Sequence, residues 1–453
     1  MINAIAVLSI ISALFPVAAA YPEIKVVSLN RCVDIAMQNH PELMASYEER
    51  KIAIAEYRFA QAMNKPQVSI ELKTVEYLKE GSSGNNVINI PGKDTIIGLF
   101  AGPTIIFNLI DPKKSDIEDS RRLKIDLEKM KIIKTREDII CNVKKSYYGY
   151  SSAQETRKLM DELVEKFRIK LEKAKLLFKT GQRPILDVTK AEVDYANSKL
   201  QYEKAINNEN LLKTKLLSDM GIIDENIEFL PVKIDELPAL RFDLHALNKL
   251  AEEYFPEIKI SRMRTELSKL DISAAKSESM PTVDFLASIG YENTNMQGWK
   301  TKDELKDKVD GANWNLSSHF GIKAEMPVDF LSGSGIKAKV DAAVAEYNML
   351  TYNEKNVLVK MRALIRAYYQ SLNEIKKQIE LSAPIIDDAN KHLMLAQKSY
   401  ESGLSTQMEL QDAEMAVLEA KLNLLQARYD YLIALGDLSN VIGLGEEYLC
   451  EKK

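Results

Sequence analysis

The chain has 453 residues, with 61 Lys plus Arg against 66 Asp plus Glu for a net charge of −5, and its basic residues are dispersed along its length. That balance excludes a nucleic-acid-binding face. Three cysteines, Cys32, Cys141 and Cys450, with no CxxC spacing exclude a disulfide framework; Cys32 and Cys450 can pair if the ends of the mature chain meet, and three unpaired small apolar residues is the plainer reading.

Residues 1–20 carry no charge, are apolar from Ile2 to Leu14, and close on Ala18-Ala19-Ala20 before Tyr21. This is a signal-peptide pattern without a basic n-region, and the alternative is a buried apolar N-terminal segment. No later stretch holds the roughly 18 to 20 continuous apolar residues of a spanning helix, so a membrane crossing must use strands. Length alone suggests about three domains. No Pro/Gly/Ser-rich linker separates them, and the chain reads as one elongated body.

After the leader, Leu29 to Asn64 reads as a helix interrupted at His40-Pro41-Glu42 and closed by Pro66. Two strands follow, at about 67–79 and 96–109; Val68, Ile70 and Leu72 alternate before a phase slip at Thr74, and a Gly/Ser/Asn-rich loop joins the pair. A helix is then expected over 113–179, long enough at 1.5 Å per residue to span about 100 Å. Gly181 ends it, because a left-handed residue after a helix costs glycine least, and a return helix follows over 185–220.

The second half repeats this plan. Segment 222–243 connects the halves, strands are expected at 282–292 and 316–329, a long helix at 336–401, a turn at Gly403, a return helix at 407–435, and a tail at 444–453. Pro384 inside the long helix is expected to kink it. The return helix keeps 3-4 apolar spacing through Met415, Leu418, Leu422, Leu425, Tyr429 and Leu432, which is coiled-coil spacing. Leu29 and Leu244, Pro41 and Pro256, and Pro66 and Pro281 lie 215 residues apart, while Gly181 and Gly403, Leu200 and Leu422, and Gly221 and Gly443 lie 222 apart. Two copies of a unit of about 220 residues are a duplicated half, with 21–221 as one copy and 244–443 as the other. The fold class is mainly α with β: two long antiparallel helical hairpins plus four strands of membrane-spanning length. The paired shorter helices then gather the N-terminus, the inter-repeat segment and the C-terminal segment into a girdle at mid-height. Four strands cannot close a barrel, so inserted strands require several copies.

Motifs for chemistry are missing. The four histidines share no metal-ligand spacing, and there is no Walker A loop, GxGxxG, GxSxG or HExxH, so no catalytic, metal or cofactor site is expected. Gly333-Ser334-Gly335 reads as a strand-to-helix turn before it reads as a phosphate cradle. Glu409 and Asp412 lie three apart on one helix face just past the Gly403 turn, and Asp187 stands at the position equivalent to Glu409. In a symmetric oligomer they form carboxylate rings at the end of a tube, which favour cations and constrict an aqueous path. The plainer reading is helix N-terminal acids that suit the macrodipole.

The order of these features, given twice, resembles the TolC-like outer-membrane efflux and secretion proteins. It is carried by Asn39-His40-Pro41-Glu42-Leu43 and Phe255-Pro256-Glu257-Ile258, a proline closing each such helix, two strands, a long helix with Tyr147-Tyr148 or Tyr368-Tyr369, the glycine turn, and a return helix with Ala-Glu. The resemblance implies a homotrimer with a twelve-stranded barrel in outer-membrane lipid and a helical periplasmic tunnel. Its turns meet a periplasmic adaptor, and an inner-membrane pump or transporter supplies the energy. Ser402-Gly403-Leu404-Ser405-Thr406 matches the family's turn pattern, whereas Gly181-Gln182-Arg183-Pro184 keeps only the glycine. The resemblance assigns adaptor contact to Gly181, Gln182, Arg183, Gly403, Leu404 and Ser405, and pore constriction to Asp187, Glu409 and Asp412. A passive efflux or type I secretion channel is the function it implies. A periplasmic adaptor or a poreless coiled-coil scaffold is the rival; an adaptor carries one hairpin, and this chain carries two.

Overall fold

A computed structural model describes residues 26–78, 95–223, 227–232, 234, 237–293, 303, 314–327 and 334–450. The expected leader, the loop beginning at Glu80 and most of the loop after Asn293 lie outside the described residues. The elements in chain order are β1 (Val26–Val27), α1 (Leu29–Asn39), α2 (Pro41–Met63), β2 (Gln67–Leu78), β3 (Thr95–Ile110), α3 (Lys113–Lys179), α4 (Ile185–Asp219), β4 (Glu228–Phe229), α5 (Leu244–Tyr254), α6 (Pro256–Ser277), β5 (Thr282–Asn293), β6 (Trp314–Glu325), α7 (Gly335–Glu401), α8 (Gln407–Ile442) and α9 (Glu446–Leu449). They form two compact units, one of residues 45–133 and 256–360, the other of 1–44, 134–255 and 361–453, so each unit draws on both sequence halves.

The first unit contains a four-stranded antiparallel sheet in the order β2-β3-β5-β6. The strand pair of each half is therefore joined to the other through β3 and β5. Pairing of β2 with β3 runs without a break from Gln67↔Ile106 to Leu78↔Thr95. The expected slip at Thr74 is absent from the backbone: it was a change in side-chain pattern, and the ladder holds its register through it. The irregularity lies instead in β3, where the register against β5 shifts between Asn108 and Ile110. Gly102 and Gly290 face each other across this pair so closely that a Cβ on Gly102 would sit 2.3 Å from the Ile289 carbonyl oxygen. Only glycine fits there. β6 ends at Glu325, short of the expected 329, and Val328 and Asp329 lie outside the described residues.

Alternation gives this sheet two unlike faces. Val68, Ile70, Leu72, Ile105, Ile289, Tyr291, Leu316, Phe320 and Ile322 share one face by register and are all exposed. On the other face lie Ser69, Thr104, Asp284, Ser288, Ser317 and His319. Next to the sheet, α2 is fastened to α3 by Glu56, which accepts from Arg121 at 3.1 Å and Lys124 at 2.8 Å, and by Asn64, which donates to Glu118 at 2.9 Å. The hydrogen bond from Lys124, together with the charges of Lys124 and Arg121, holds the Glu56 carboxyl below the usual range.

In the second unit the helix breaks follow from proline chemistry. A residue before proline is pushed out of the α region, and His40 (φ −65°, ψ 120°) and Phe255 (φ −60°, ψ 117°) both adopt extended backbone between consecutive helices. α7 nevertheless continues through Pro384. α8 extends past the expected end near 435, because Gly436 sits inside the helix with its carbonyl beside Cys141, and the stop comes at Gly443, whose φ of 78° is left-handed. The expected tail contains α9 and a bridge from Leu240 to Cys450.

Three buried tyrosines organise the segment between the halves. Tyr147 donates to the Leu230 carbonyl, Tyr429 to Val232 at 2.8 Å, and Tyr431 to Pro238 at 2.7 Å, while β1 pairs in parallel with β4. Burial pushes the Tyr147 hydroxyl up to about 12 and those of Tyr429 and Tyr431 upward, so all three remain donors. The cysteines are free, with Cys32 and Cys141 buried and Cys450 half-buried.

Candidate functional site at the helical hairpin turns

The residues singled out in the sequence fall at two turns, between α3 and α4 and between α7 and α8. Both turns close in the same way. Gly181 (φ 74°) and Gly403 (φ 75°) are left-handed with nothing within 4 Å of a notional Cβ, so backbone geometry alone asks for glycine. At the first turn Gly181 donates to Phe178 and Gln182 to Leu177, each at 2.9 Å; at the second Gly403 donates to Tyr400 at 3.1 Å and Leu404 to Ser399 at 2.9 Å. These are the paired bonds of a Schellman closure, which satisfy the last carbonyls of each descending helix. Ser405 is half-buried and donates from its hydroxyl to Ala396 at 3.4 Å.

Beyond the glycines the two turns diverge, and the cause is one residue. Thr406 caps α8: its hydroxyl accepts from Glu409 N–H at 3.3 Å, and the Glu409 carboxylate accepts from Thr406 N–H at 3.3 Å. That capping box occupies Glu409 locally. The first turn has Pro184 at the corresponding place, which offers no hydroxyl and no N–H. Asp187, the counterpart of Glu409, instead meets Arg183 at 3.9 Å, and the Arg183 guanidinium stacks over Tyr400 of α7 at 4.8 Å. Asp412 is exposed and takes part in neither arrangement, and Glu409 is also exposed. The three carboxylates predicted as one functional set thus have three different local settings.

The first hairpin is held to the second by residues that the sequence did not single out for that role. Lys170 of α3 pairs with Glu414 of α8, and Gln411 of α8 donates to Asp194 of α4 at 2.9 Å. Glu192, the sequence counterpart of Glu414, meets Lys175 of its own hairpin at 3.8 Å. Equivalent Ala-Glu pairs therefore serve different partners, which repetition alone does not reveal. Beneath these contacts Met160, Leu163, Phe167 and Ala205 form a core against which Leu418 and Leu422 of α8 pack. A groove of about 220 Å³ beside the turns is lined by Lys170, Lys173, Arg183, Asp187, Tyr400 and Glu414. The apolar side chains Ile185, Leu186, Leu404 and Met408 are exposed around the turns, Leu404 most of all at 85%.

Residues 247–444 match the family model for "Outer membrane efflux protein". The match covers less than half of the chain, and it makes the second half similar to outer-membrane efflux proteins. The chain is 22% identical over 319 residues to the outer membrane protein TolC of Escherichia coli K12, a match spanning 68% of this chain and 62% of that protein's length. It is 20% identical over 415 residues to TolC of Vibrio cholerae, covering 90% and 89% of the two chains. The Campylobacter jejuni CmeC outer membrane channel superposes on 92% of this chain and 85% of its own with a TM-score of 0.76 at 16% identity, so the two share a fold. Among the described residues no helix is long and apolar enough to cross a membrane, and no group of three or more His, Cys, Asp or Glu is placed to hold a metal.

Proposed function

We propose that this chain is the exit duct of a tripartite efflux or secretion system, conducting cargo outward without a catalytic step of its own. The carrying observation is the sheet: one face is apolar and exposed, the other polar, and both edge strands, β2 and β6, lack a second neighbour among the described residues. In lipid, unpaired edges leave backbone donors and acceptors unsatisfied at several kcal/mol each, so such a sheet must close. Three copies give twelve strands, with the apolar faces against lipid and the polar faces around water. The duplicated halves make the ring pseudo-sixfold, and the helical body extends into the periplasm as a tunnel. The hairpin turns form its inner end, where exposed Leu404, Met408, Ile185 and Leu186, with Gly181, Gln182, Arg183, Gly403 and Ser405 shaping the turns, meet a periplasmic adaptor. An inner-membrane pump supplies the energy. Asp187, Glu409 and Asp412 constrict the path, with Asp412 the principal cation-attracting group, since Asp187 and Glu409 have local partners.

Planar-bilayer recording tests this reading. The purified protein is expected to form discrete cation-selective channels, and Asp412→Ala to raise conductance and weaken block by divalent cations. Protein that extracts without detergent and carries no current removes the duct altogether, in favour of a poreless scaffold.

A further inference from the structure

Three side chains converge on the His319 imidazole, on the polar face of the sheet. Glu292, Gly290 and Ser288 of β5 share that face, and β6 sets Asn315, Ser317 and His319 directly opposite them. Glu292 and His319 are therefore four residues apart along the strands, about 13 Å at the usual strand rise. They nevertheless meet: His319 Nε2 stands 3.3 Å from Glu292 Oε2 and 2.8 Å from Ser317 Oγ. Gly290, the position between them on β5, carries no side chain to stand in the gap. Phe100, opposite Glu292 on β3 and fully buried, meets the imidazole edge to face at 5.6 Å and holds its plane. The Glu292 side chain is 6% exposed and that of His319 42%, so the carboxylate is sheltered while the imidazole is reachable from water.

The separation distinguishes two uses of this pair. A charge-assisted hydrogen bond from an imidazolium to a carboxylate closes to about 2.7–2.9 Å. Two ligand atoms on a tetrahedral cation with bonds of about 2.0–2.1 Å stand about 3.3–3.4 Å apart. The 3.3 Å between Nε2 and Oε2 matches the second. With the imidazole proton on Nδ1, the Nε2 lone pair and the carboxylate present two acceptors to one point, and a cation between them satisfies both. Imidazole with carboxylate suits zinc, nickel and copper(II), whereas magnesium and calcium prefer oxygen throughout.

We infer that His319 and Glu292 chelate one divalent cation of the zinc class, with water in the remaining positions and the Ser317 hydroxyl hydrogen-bonded to that water. The site contains two metal-binding side chains, fewer than the four protein ligands of a closed structural centre, so it exchanges its ion with solution. Its ligands lie on different strands, which is why no motif spacing announces them. Both come from one chain, and the site does not depend on the ring or the duct proposed above.

Equilibrium dialysis of the full-length protein in detergent at neutral pH, against Zn2+ or Ni2+ alone, tests the site. Wild-type protein is expected to take up one ion per chain more than His319→Gln, which keeps bulk beside Phe100 and offers only an amide. Glu292→Gln is expected to weaken that uptake by at least about tenfold, the scale of losing even an outer partner of a metal ligand. Excess Mg2+ should not displace the ion. With Cu2+ as the probe, paramagnetic resonance should show a nitrogen-ligated copper that disappears in His319→Gln. Metal-free thermal melts verify that the variants fold, and His319→Asn takes the place of a glutamine variant that does not. Equal uptake by wild type and the folded His319 variant overturns the site, as does wild-type protein that binds no ion. Uptake lost in His319→Gln but unchanged in Glu292→Gln leaves a lone imidazole and overturns the chelate. Since binding is read without current, its failure and the failure of the duct are seen separately.

Discussion

Replacing Gly290 by alanine is the sharpest perturbation of the sheet. An alanine Cβ at 290 would stand 2.4 Å from the Ala101 carbonyl oxygen and 2.8 Å from the Gly102 Cα, both backbone atoms that no rotamer change can move. Restoring an ordinary contact of at least 3.4 Å needs β3 and β5 to part by about 1 Å. Neighbouring ladder hydrogen bonds cannot stretch so far, and losing two of them, at about 1 kcal/mol each, adds to an overpacking cost of about 1–3 kcal/mol. The pair has little reserve there, since Pro103 next to Gly102 brings no donor. A loss of about 3 kcal/mol, the low end of that sum, already shifts a urea midpoint by roughly 1–3 M. Gly321→Ala is the matched control: it lies in β6 with nothing within 4 Å of a Cβ and is expected to change stability by less than about 0.5 kcal/mol. Urea titration of both variants in detergent micelles, followed by intrinsic fluorescence, measures the difference. Equal midpoints would refute the close approach as the reason for glycine at 290.

Other outcomes follow from the helices. Thr406→Ala removes the cap hydroxyl of α8 and is expected to cost about 1 kcal/mol, while Thr406→Ser restores it; melting followed by circular dichroism separates the two. Leu404→Asp is expected to abolish export in cells while trimers still assemble, because the side chain is solvent-exposed and packs on nothing within the turn; full export by assembled Leu404→Asp protein argues against docking at this turn. Burial pushes the thiols of Cys32 and Cys141 up to about 12 and that of Cys450 up to about 11. Native protein at pH 8 should therefore react slowly with a thiol reagent, and all three thiols should react after denaturation. Because the raised values favour the protonated thiol in the folded state, stability is retained below the ordinary thiol range and falls as pH rises from about 9 toward 12. Thermal melts across that interval check the sign.

Most of the element order could be read from the sequence because it depends on local rules. Proline after an extended residue broke the helices at His40 and Phe255, glycine closed the hairpins at Gly181 and Gly403, and period-two alternation marked β5 and β6. Where a local rule met a tertiary one, the sequence misled. Gly436 looks like a stop but sits mid-helix among α3 and α9 side chains, and the change of pattern at Thr74 left the ladder register unmoved. The turn carboxylates were visible as charges on a helix face. Their settings were not, since Pro184 versus Thr406 decides which carboxylate caps a helix and which meets Arg183. The contacts of Lys170 with Glu414 and Asp194 with Gln411 join residues more than 200 positions apart, and no spacing in one hairpin announces them.

The inter-half segment is gripped through its main chain: Tyr147, Tyr429 and Tyr431 take the carbonyls of residues 230, 232 and 238 and ignore what those residues carry. Drift in the strap's side chains is thereby cheap, whereas loss of any one phenol oxygen leaves a loose stitch. Related chains can thus be expected to keep the clasp while rewriting the ribbon that runs through it.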